Sequence, residues 1–209
     1  MAALVVAAMP ASAQRRCQMA EPEVRLELAQ EQPSFDTLPL AELRAQSRDG
    51  LGEHDQIFGL YKAELRAGLR AQYASRDDGK TGCIAVRAVI IEAQLAERRI
   101  YLARELKRGS CRYETTLAHE QRHARIDDAL VPREFLVLKQ AIARAAMENG
   151  VVGPVPVGDM AAHRDDIGER LQRVMRQELE RIGEIRRREQ GAIDTPEAYR
   201  REAARCPGE

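Results

Sequence analysis

The stretch at residues 113–130 reads YETTLAHEQRHARIDDAL and holds two of the four histidines of a 209-residue chain. His119 and His123 are four positions apart, and Glu120 follows the first of them directly. On an α-helix, residues four apart project from the same side, with Cβ atoms about 5–6 Å apart. The spacing therefore predicts two neighbouring imidazoles with a carboxylate beside them.

The helical wheel of this stretch places the histidines on its apolar side. Ile126 lies next to His119 and His123, and two acids, Glu120 and Asp127, fall within the same apolar arc. Burying such groups without partners costs on the order of several kcal/mol each. We therefore expect a metal ion or a polar network to satisfy them.

Residues 119–123 match the pattern H-E-x-x-H. In this pattern two histidines grip one Zn²⁺ from the same direction, and the glutamate reaches the attacking water. That glutamate accepts the proton of the water as it attacks a carbonyl carbon, and it can then protonate the leaving amine. The motif predicts His119 and His123 as zinc ligands and Glu120 as the catalytic residue.

The overall charge points away from nucleic acid. Lys and Arg together number 33, as do Asp and Glu, so the formal net charge is zero. Neither a basic surface for a nucleic acid nor an acidic tail is indicated. Charged residues make up 32% of the chain with the two signs interleaved, which is typical of solvated helix faces.

The first residues are typical of an export signal. An apolar run at residues 2–9 is followed by Pro10 and by the small-residue site Ala11-Ser12-Ala13. The run is too short to span a bilayer. We expect residues 1–13 to be a signal peptide and 14–209 to form a single domain, secreted or periplasmic and free of the membrane after signal removal.

The hydrophobic periodicity predicts an α+β fold. Residues 23–30 alternate as a strand, and 83–95 and 98–107 read as a β-hairpin that turns around Ala96 and Glu97. This small antiparallel sheet would pack on the H-E-x-x-H helix, and a mostly helical C-terminal half would follow. Further predicted elements are a helix from 34 to Gly50, an undecided segment at 60–73, a turn at 77–82, helices at 112–131 and 133–148, a loop at 150–159, and helices at 164–190 and from Asp194 onward.

The four cysteines have no C-x-x-C spacing. An even number in an exported chain favours two disulfides. Three pairings are possible, and the sequence alone does not choose among them. The predicted hairpin favours one, because it would bring Cys83 opposite Cys111, close enough to bridge. By elimination, Cys17 would then pair with Cys206.

Two segments carry a family resemblance. Residues 99–126, RIYLARELKRGSCRYETTLAHEQRHARI, resemble the bacterial secreted, predicted zinc-dependent proteases of uncharacterised function, a zincin-like group. Residues 188–206, REQGAIDTPEAYRREAARC, look like the closing segment of those proteins. The resemblance covers roughly residues 80–130 well and the rest loosely. It implies a hairpin leading into the H-E-x-x-H helix, a zinc site at His119 and His123 with Glu120 as catalytic residue, and a peptide or protein substrate.

The third zinc ligand is open at this point. A longer metzincin pattern fails, because Ile126 and Ala129 stand where it needs Gly and His. Asp127, one turn after His123, fits a partner that accepts an imidazole N–H. Asp194 is accounted for as the N-cap of the last helix. The side chains that could complete the site are Glu134, Glu148, Glu169, Glu178, His163, Asp194 and Asp127.

An alternative function follows from that gap. A chain with two histidines and no third ligand could bind metal without catalysis, as a periplasmic binding or scaffold protein. The long amphipathic helix at 165–190 would then be its contact surface. The oligomeric state and the substrate are not indicated by any motif.

Overall fold

The computed structural model describes residues 17–46 and 57–208 and has the predicted α+β fold. The predicted signal peptide, 1–13, lies outside these residues. The elements are β1 Glu23–Gln30, β2 Ser34–Leu38, α1 Leu40–Gln46, β3 Gly59–Asp77, β4 Thr81–Ala103, α2 Cys111–Asn149, β5 Val151–Pro156, a 3₁₀ turn Val157–Asp159, α3 Met160–Gly191 and α4 Pro196–Ala203. Within the described ranges, every helix falls short of the length or apolarity needed to cross a membrane.

The chain divides into two compact units, each assembled from three separate segments. The first consists of 17–27, Gly68–Glu92 and Leu136–Leu179, and the second of Leu28–Ala67, Ala93–Phe135 and 180–208. Strands β3 and β4 and helices α2 and α3 each contribute residues to both. The single-domain organisation of 14–209 stays a prediction.

In the first unit, β5 pairs antiparallel with the start of β4, with Ala85 opposite Val151 and Thr81 opposite Pro156. The loop predicted at 150–159 is therefore wrong for its first part. Glycine and proline favoured a loop, but the valines between them suit a strand that an open edge of β4 can pair. The core of this unit contains Val86, Val89, Ile91, Leu138, Ile142, Ile167 and Leu171.

In the second unit, β2 pairs parallel with the end of β4, from Ser34 opposite Arg99 to Leu38 opposite Ala103. The helix predicted from residue 34 is wrong for 34–38 and right from Leu40 onward. Pro39 explains the boundary, since a residue before proline is held in the extended region. The predicted end at Gly50 lies outside the described residues.

The hairpin predicted around Ala96 and Glu97 is wrong, because β4 runs without interruption from Thr81 to Ala103. Strand β3, the segment that periodicity left undecided, pairs with β4, and the predicted turn connects the two strands. There Gly79 has φ 85°, and Asp78 Oδ1 accepts the backbone N–H groups of Lys80 and Thr81. Glu97 does have φ 52°, but the strand continues past it.

Helix α2 joins the two helices predicted at 112–131 and 133–148 into one of 39 residues. Pro132 lies inside it and removes one backbone hydrogen bond. Burial compensates, because Leu130, Val131 and Phe135 around it are almost completely buried. In the second unit, Ala124 of α2 packs on Ile100 and Leu102 of β4, with Tyr61, Tyr113 and Leu117 at the margin. This contact fixes the helix that carries the motif against the sheet.

Two disulfides form, as predicted, but the predicted pairing is wrong. Cys17 bonds to Cys83 within the first unit, and Cys111 bonds to Cys206 within the second. The predicted Cys83–Cys111 bond depended on a reversal of the chain at Ala96 and Glu97. A continuous β4 does not bring Cys83 back toward Cys111, so the reasoning by hairpin register fails.

Candidate metal centre

Three side chains of the second unit converge on one point. His119 and His123 lie one turn apart on α2, and Asp194 lies in the connection between α3 and α4. The two Nε2 atoms are 3.1 Å apart, and Asp194 Oδ1 is 2.9 Å from the first and 3.0 Å from the second. Both imidazoles are buried, whereas the Asp194 side chain is 34% exposed. The cluster is therefore reachable from one side.

The opposite nitrogen of each imidazole is held by an acceptor. His123 Nδ1–H donates to Gln190 Oε1, and His119 Nδ1 lies 3.1 Å from each carboxylate oxygen of Glu202. The orientation of the Gln190 amide is determined by its own Nε2, which donates to the His123 carbonyl and to Asp127. Arg122 Nη2 also lies 3.0 Å from His119 Nδ1. In the tautomer that donates Nδ1–H to these acceptors, each Nε2 can present its lone pair to a metal ion, as metal-binding histidines require.

Asp127 is fully buried, and its role differs from the prediction. It does not accept an imidazole N–H directly. Its carboxylate accepts from Gln190, from Tyr61 and from two nitrogens of Arg186. Asp127 therefore supports His123 through Gln190, one side chain further out than predicted.

The surroundings of the imidazoles favour a cation. Burial lowers the pKa of His119, but the hydrogen bond to Asp194 and the charges of Glu120 and Glu202 outweigh it and raise that pKa. The pKa of His123 is raised against burial in the same way, mainly by Asp194. Although burial opposes it, hydrogen bonds from both imidazoles hold the pKa of Asp194 well below its usual range. Such an anionic pocket stabilises an imidazolium or, equally, a metal cation.

Glu120 is 5% exposed and lies beside the cluster without belonging to it. Burial raises its pKa to about 7, partly opposed by the two imidazoles and by a hydrogen bond from the Tyr61 backbone N–H. Gly59, at the start of β3, packs directly on this carboxylate. A Cβ there would lie 2.5 Å from Glu120 Oε1 and 2.7 Å from the Thr116 methyl carbon. The position of Glu120 thus depends on a residue without a side chain.

The donor set fits a zinc ion. Ligands about 2.0–2.1 Å from a tetrahedral zinc lie roughly 3.3 Å from one another, close to the spacing of these three atoms. Two neutral imidazoles and one carboxylate are also a donor set used by catalytic zinc sites. The same donors suit Fe²⁺ in sites that leave several positions open. The cluster therefore supports a metal site without identifying the metal.

Of the candidates for a third ligand, Asp194 is the one in the cluster. The proposal that it caps the last helix is wrong, because Thr195 is the N-cap and its side chain accepts the Ala198 N–H. Among the described residues, the other candidates are elsewhere: Glu134 pairs with Arg133 and Arg181. Asp127 bonds to Tyr61, Arg186 and Gln190 instead. The remaining candidates, Glu148, Glu169, Glu178 and His163, belong to the first unit.

Tyr199 completes the immediate surroundings. Its hydroxyl donates to Asp194 Oδ1 at 2.8 Å, and its ring stacks on that of His119 with centroids 5.2 Å apart. The sequence assigned no role to Tyr199, Gln190 or Glu202. All three, with Asp194, lie in the segment 188–206, which resembles the closing segment of the zincin-like proteases. That resemblance was the one sequence feature that could have pointed to these residues.

A cavity of about 310 Å³ opens beside His119. Its walls come from the start of α2, from α4 and from Phe58, and Cys206 of the disulfide forms part of them. Comparison of the chain with models of protein families, with curated proteins and with solved structures finds no match.

Proposed function

We propose that this protein is an exported zinc-dependent metallopeptidase that hydrolyses amide bonds of peptides or proteins. The observation that carries the proposal is the convergence of His119, His123 and Asp194 with Glu120 at their side. Three protein ligands are typical of catalytic zinc, whereas structural zinc has four. Membership of the zincin-like group of secreted proteases is part of the proposal, and the two disulfides support an oxidising compartment such as the periplasm.

Each side chain has a chemical role in this proposal. His119, His123 and Asp194 would hold the zinc ion. The ion would act as a Lewis acid and would lower the pKa of a bound water to about 7. Glu120 takes one proton from the water whose oxygen bonds to the carbonyl carbon. It returns that proton to the amine nitrogen as the C–N bond breaks, so that an acid and an amine are released. A carboxylate whose pKa is raised to about 7 suits both transfers near neutral pH.

The first test combines metal analysis with hydrolysis assays on wild type and three variants. Glu120→Gln should keep one zinc per chain and lose activity on casein or a peptide library by about 10²–10⁴-fold, the contribution of general acid–base catalysis. His119→Ala should lose both metal and activity. His163→Ala serves as the matched control, because that histidine lies outside the cluster, and it should behave as wild type.

The outcomes separate the alternatives. Full zinc with no hydrolysis of any amide would leave the metal site standing and favour the non-catalytic binding or scaffold protein. Iron in place of zinc would redirect the proposal to the redox chemistry of two-histidine, one-carboxylate sites. Equal activity of Glu120→Gln and wild type would refute the role of Glu120.

A further inference from the structure

Among the described residues that line the cavity beside His119, basic side chains outnumber acidic ones. Arg112 and Arg200 contribute guanidinium groups, and Glu202 is the acidic side chain among the described lining residues. Glu202 is already engaged by Arg122 and by His119 Nδ1. Arg200 shares its charge with Glu197 at the exposed rim. A metal ion at the neighbouring cluster would make this region more positive.

Arg112 is the cation best placed for recognition. It is half-buried at the start of α2, with its guanidinium carbon 5.1 Å from the centre of the Phe58 ring. Stacking on an aromatic face orients the planar guanidinium and lowers the entropy lost when it binds a planar anion. A guanidinium has five N–H donors, so Arg112 can bind both oxygens of a carboxylate in addition to the contacts that it already makes.

The rest of the wall suits a short carbon chain. Apolar surface comes from Phe58, the Tyr199 ring, Ala203 and the Cys206 side chain. A volume of about 310 Å³ accommodates one side chain or a small terminal group. The cavity therefore combines apolar walls with a cation at one place, which matches a carboxylate on a short aliphatic stem.

We propose that this cavity is a specificity subsite for a carboxylate adjoining the scissile amide, bound by Arg112. The inference rests on the proposed amide hydrolysis and names its substrate class. The carboxylate has two sources, an acidic side chain or the free C-terminus of a peptide, and the chemistry of recognition is the same for both. Arg112 acts on binding and is not a catalytic residue.

The test uses three peptides that differ only after the scissile bond: internal glutamate, internal glutamine, and glutamine with a free terminal carboxylate. Zinc-loaded wild type should cleave one of the two carboxylate peptides with a kcat/KM about tenfold or more above the neutral one, as one charged hydrogen-bonded pair supplies. Which one is favoured identifies the source. Arg112→Gln should bring the ratio close to one, and Arg112→Lys should restore part of it.

Arg108→Gln is the control, because this exposed arginine precedes α2 and does not line the cavity; it should keep the wild-type ratio. Hydrolysis of all three peptides at equal kcat/KM, or a preference for a neutral apolar residue, would overturn the subsite and leave the peptidase standing. If neither these peptides nor casein is cleaved, the proposed function fails, and calorimetry with N-acetylglutamate and N-acetylglutamine decides the subsite. Binding of the acid alone, lost in Arg112→Gln, would support it, and equal or no binding of the two would overturn it.

Discussion

At the scale of single residues, the site depends on two neighbouring residues that leave the carboxylates of Asp194 and Glu120 unobstructed. Thr195 takes over the cap of α4, so the Asp194 carboxylate is left to face His119 and His123. Gly59 has no side chain, so Glu120 can occupy the space against β3. The sequence pattern does not single out Thr195 or Gly59, because the contribution of each is to leave a neighbouring carboxylate free of a competing contact.

Gly59→Ala tests this directly. The added methyl would displace Glu120 and Thr116 while leaving the metal ligands in place. We expect zinc to be retained and hydrolysis to fall by about 100-fold, the effect of misplacing a catalytic group by roughly 1 Å. Gly68→Ala, on the same strand with open space around it, is the control and should keep full activity. Equal activities of the two variants would show that Glu120 keeps its catalytic position despite the added methyl group.

At the scale of elements, a buried salt bridge in the second unit ties α2 to α3. Glu134 is 6% exposed and accepts from Arg181 of α3 and from Arg133 of its own helix. Arg181 lowers the pKa of Glu134 from its ordinary value of 4.5; burial opposes this, and Arg133 adds to the lowering. The folded state therefore favours the ionised form more than the unfolded chain does.

This sign predicts a stability contribution that is present above pH 4.5 and is lost as the pH falls through the lower, folded-state pKa. Urea unfolding at pH 7 and at pH 3 should show a smaller loss of stability for Glu134→Gln than for wild type. Glu148→Gln, an exposed glutamate on the same helix, is the control and should follow wild type. If Glu134→Gln lost as much stability between pH 7 and pH 3 as wild type does, Glu134 would not be the source of this pH dependence.

At the scale of the whole molecule, the second disulfide links the two parts of the chain that build the site. Cys111 is the first residue of α2, which carries the histidines, and Cys206 follows α4 in the same C-terminal segment as Asp194 and Glu202. The segment also contacts α2 through the ion pairs of Asp194 with both histidines and of Glu202 with Arg122, and the disulfide adds a covalent link to them. Closing such a long loop also removes entropy from the unfolded state.

We therefore expect the double variant Cys111→Ser with Cys206→Ser to bind zinc about 10- to 100-fold more weakly, as occurs when outer support of ligands is lost. The double variant Cys17→Ser with Cys83→Ser removes the other disulfide and is the matched control. Competition with a chelator, at a temperature where both remain folded, measures the zinc affinity. If both variants bind zinc as wild type does, the Cys111–Cys206 disulfide does not support the metal site.

The sequence by itself determined the α+β class, the β1 strand, the 77–82 turn, the helical C-terminal half, and His119, His123 and Glu120 at one place on a helix. These follow from local periodicity, turn chemistry and the spacing of four residues, which act over a few neighbours. Tertiary structure alone decided the continuous β4, the helix through Pro132, the disulfide pairing and the position of Asp194 beside His119 and His123. Each depends on pairing or burial between segments distant in the chain, and local preferences do not record which distant partner is present.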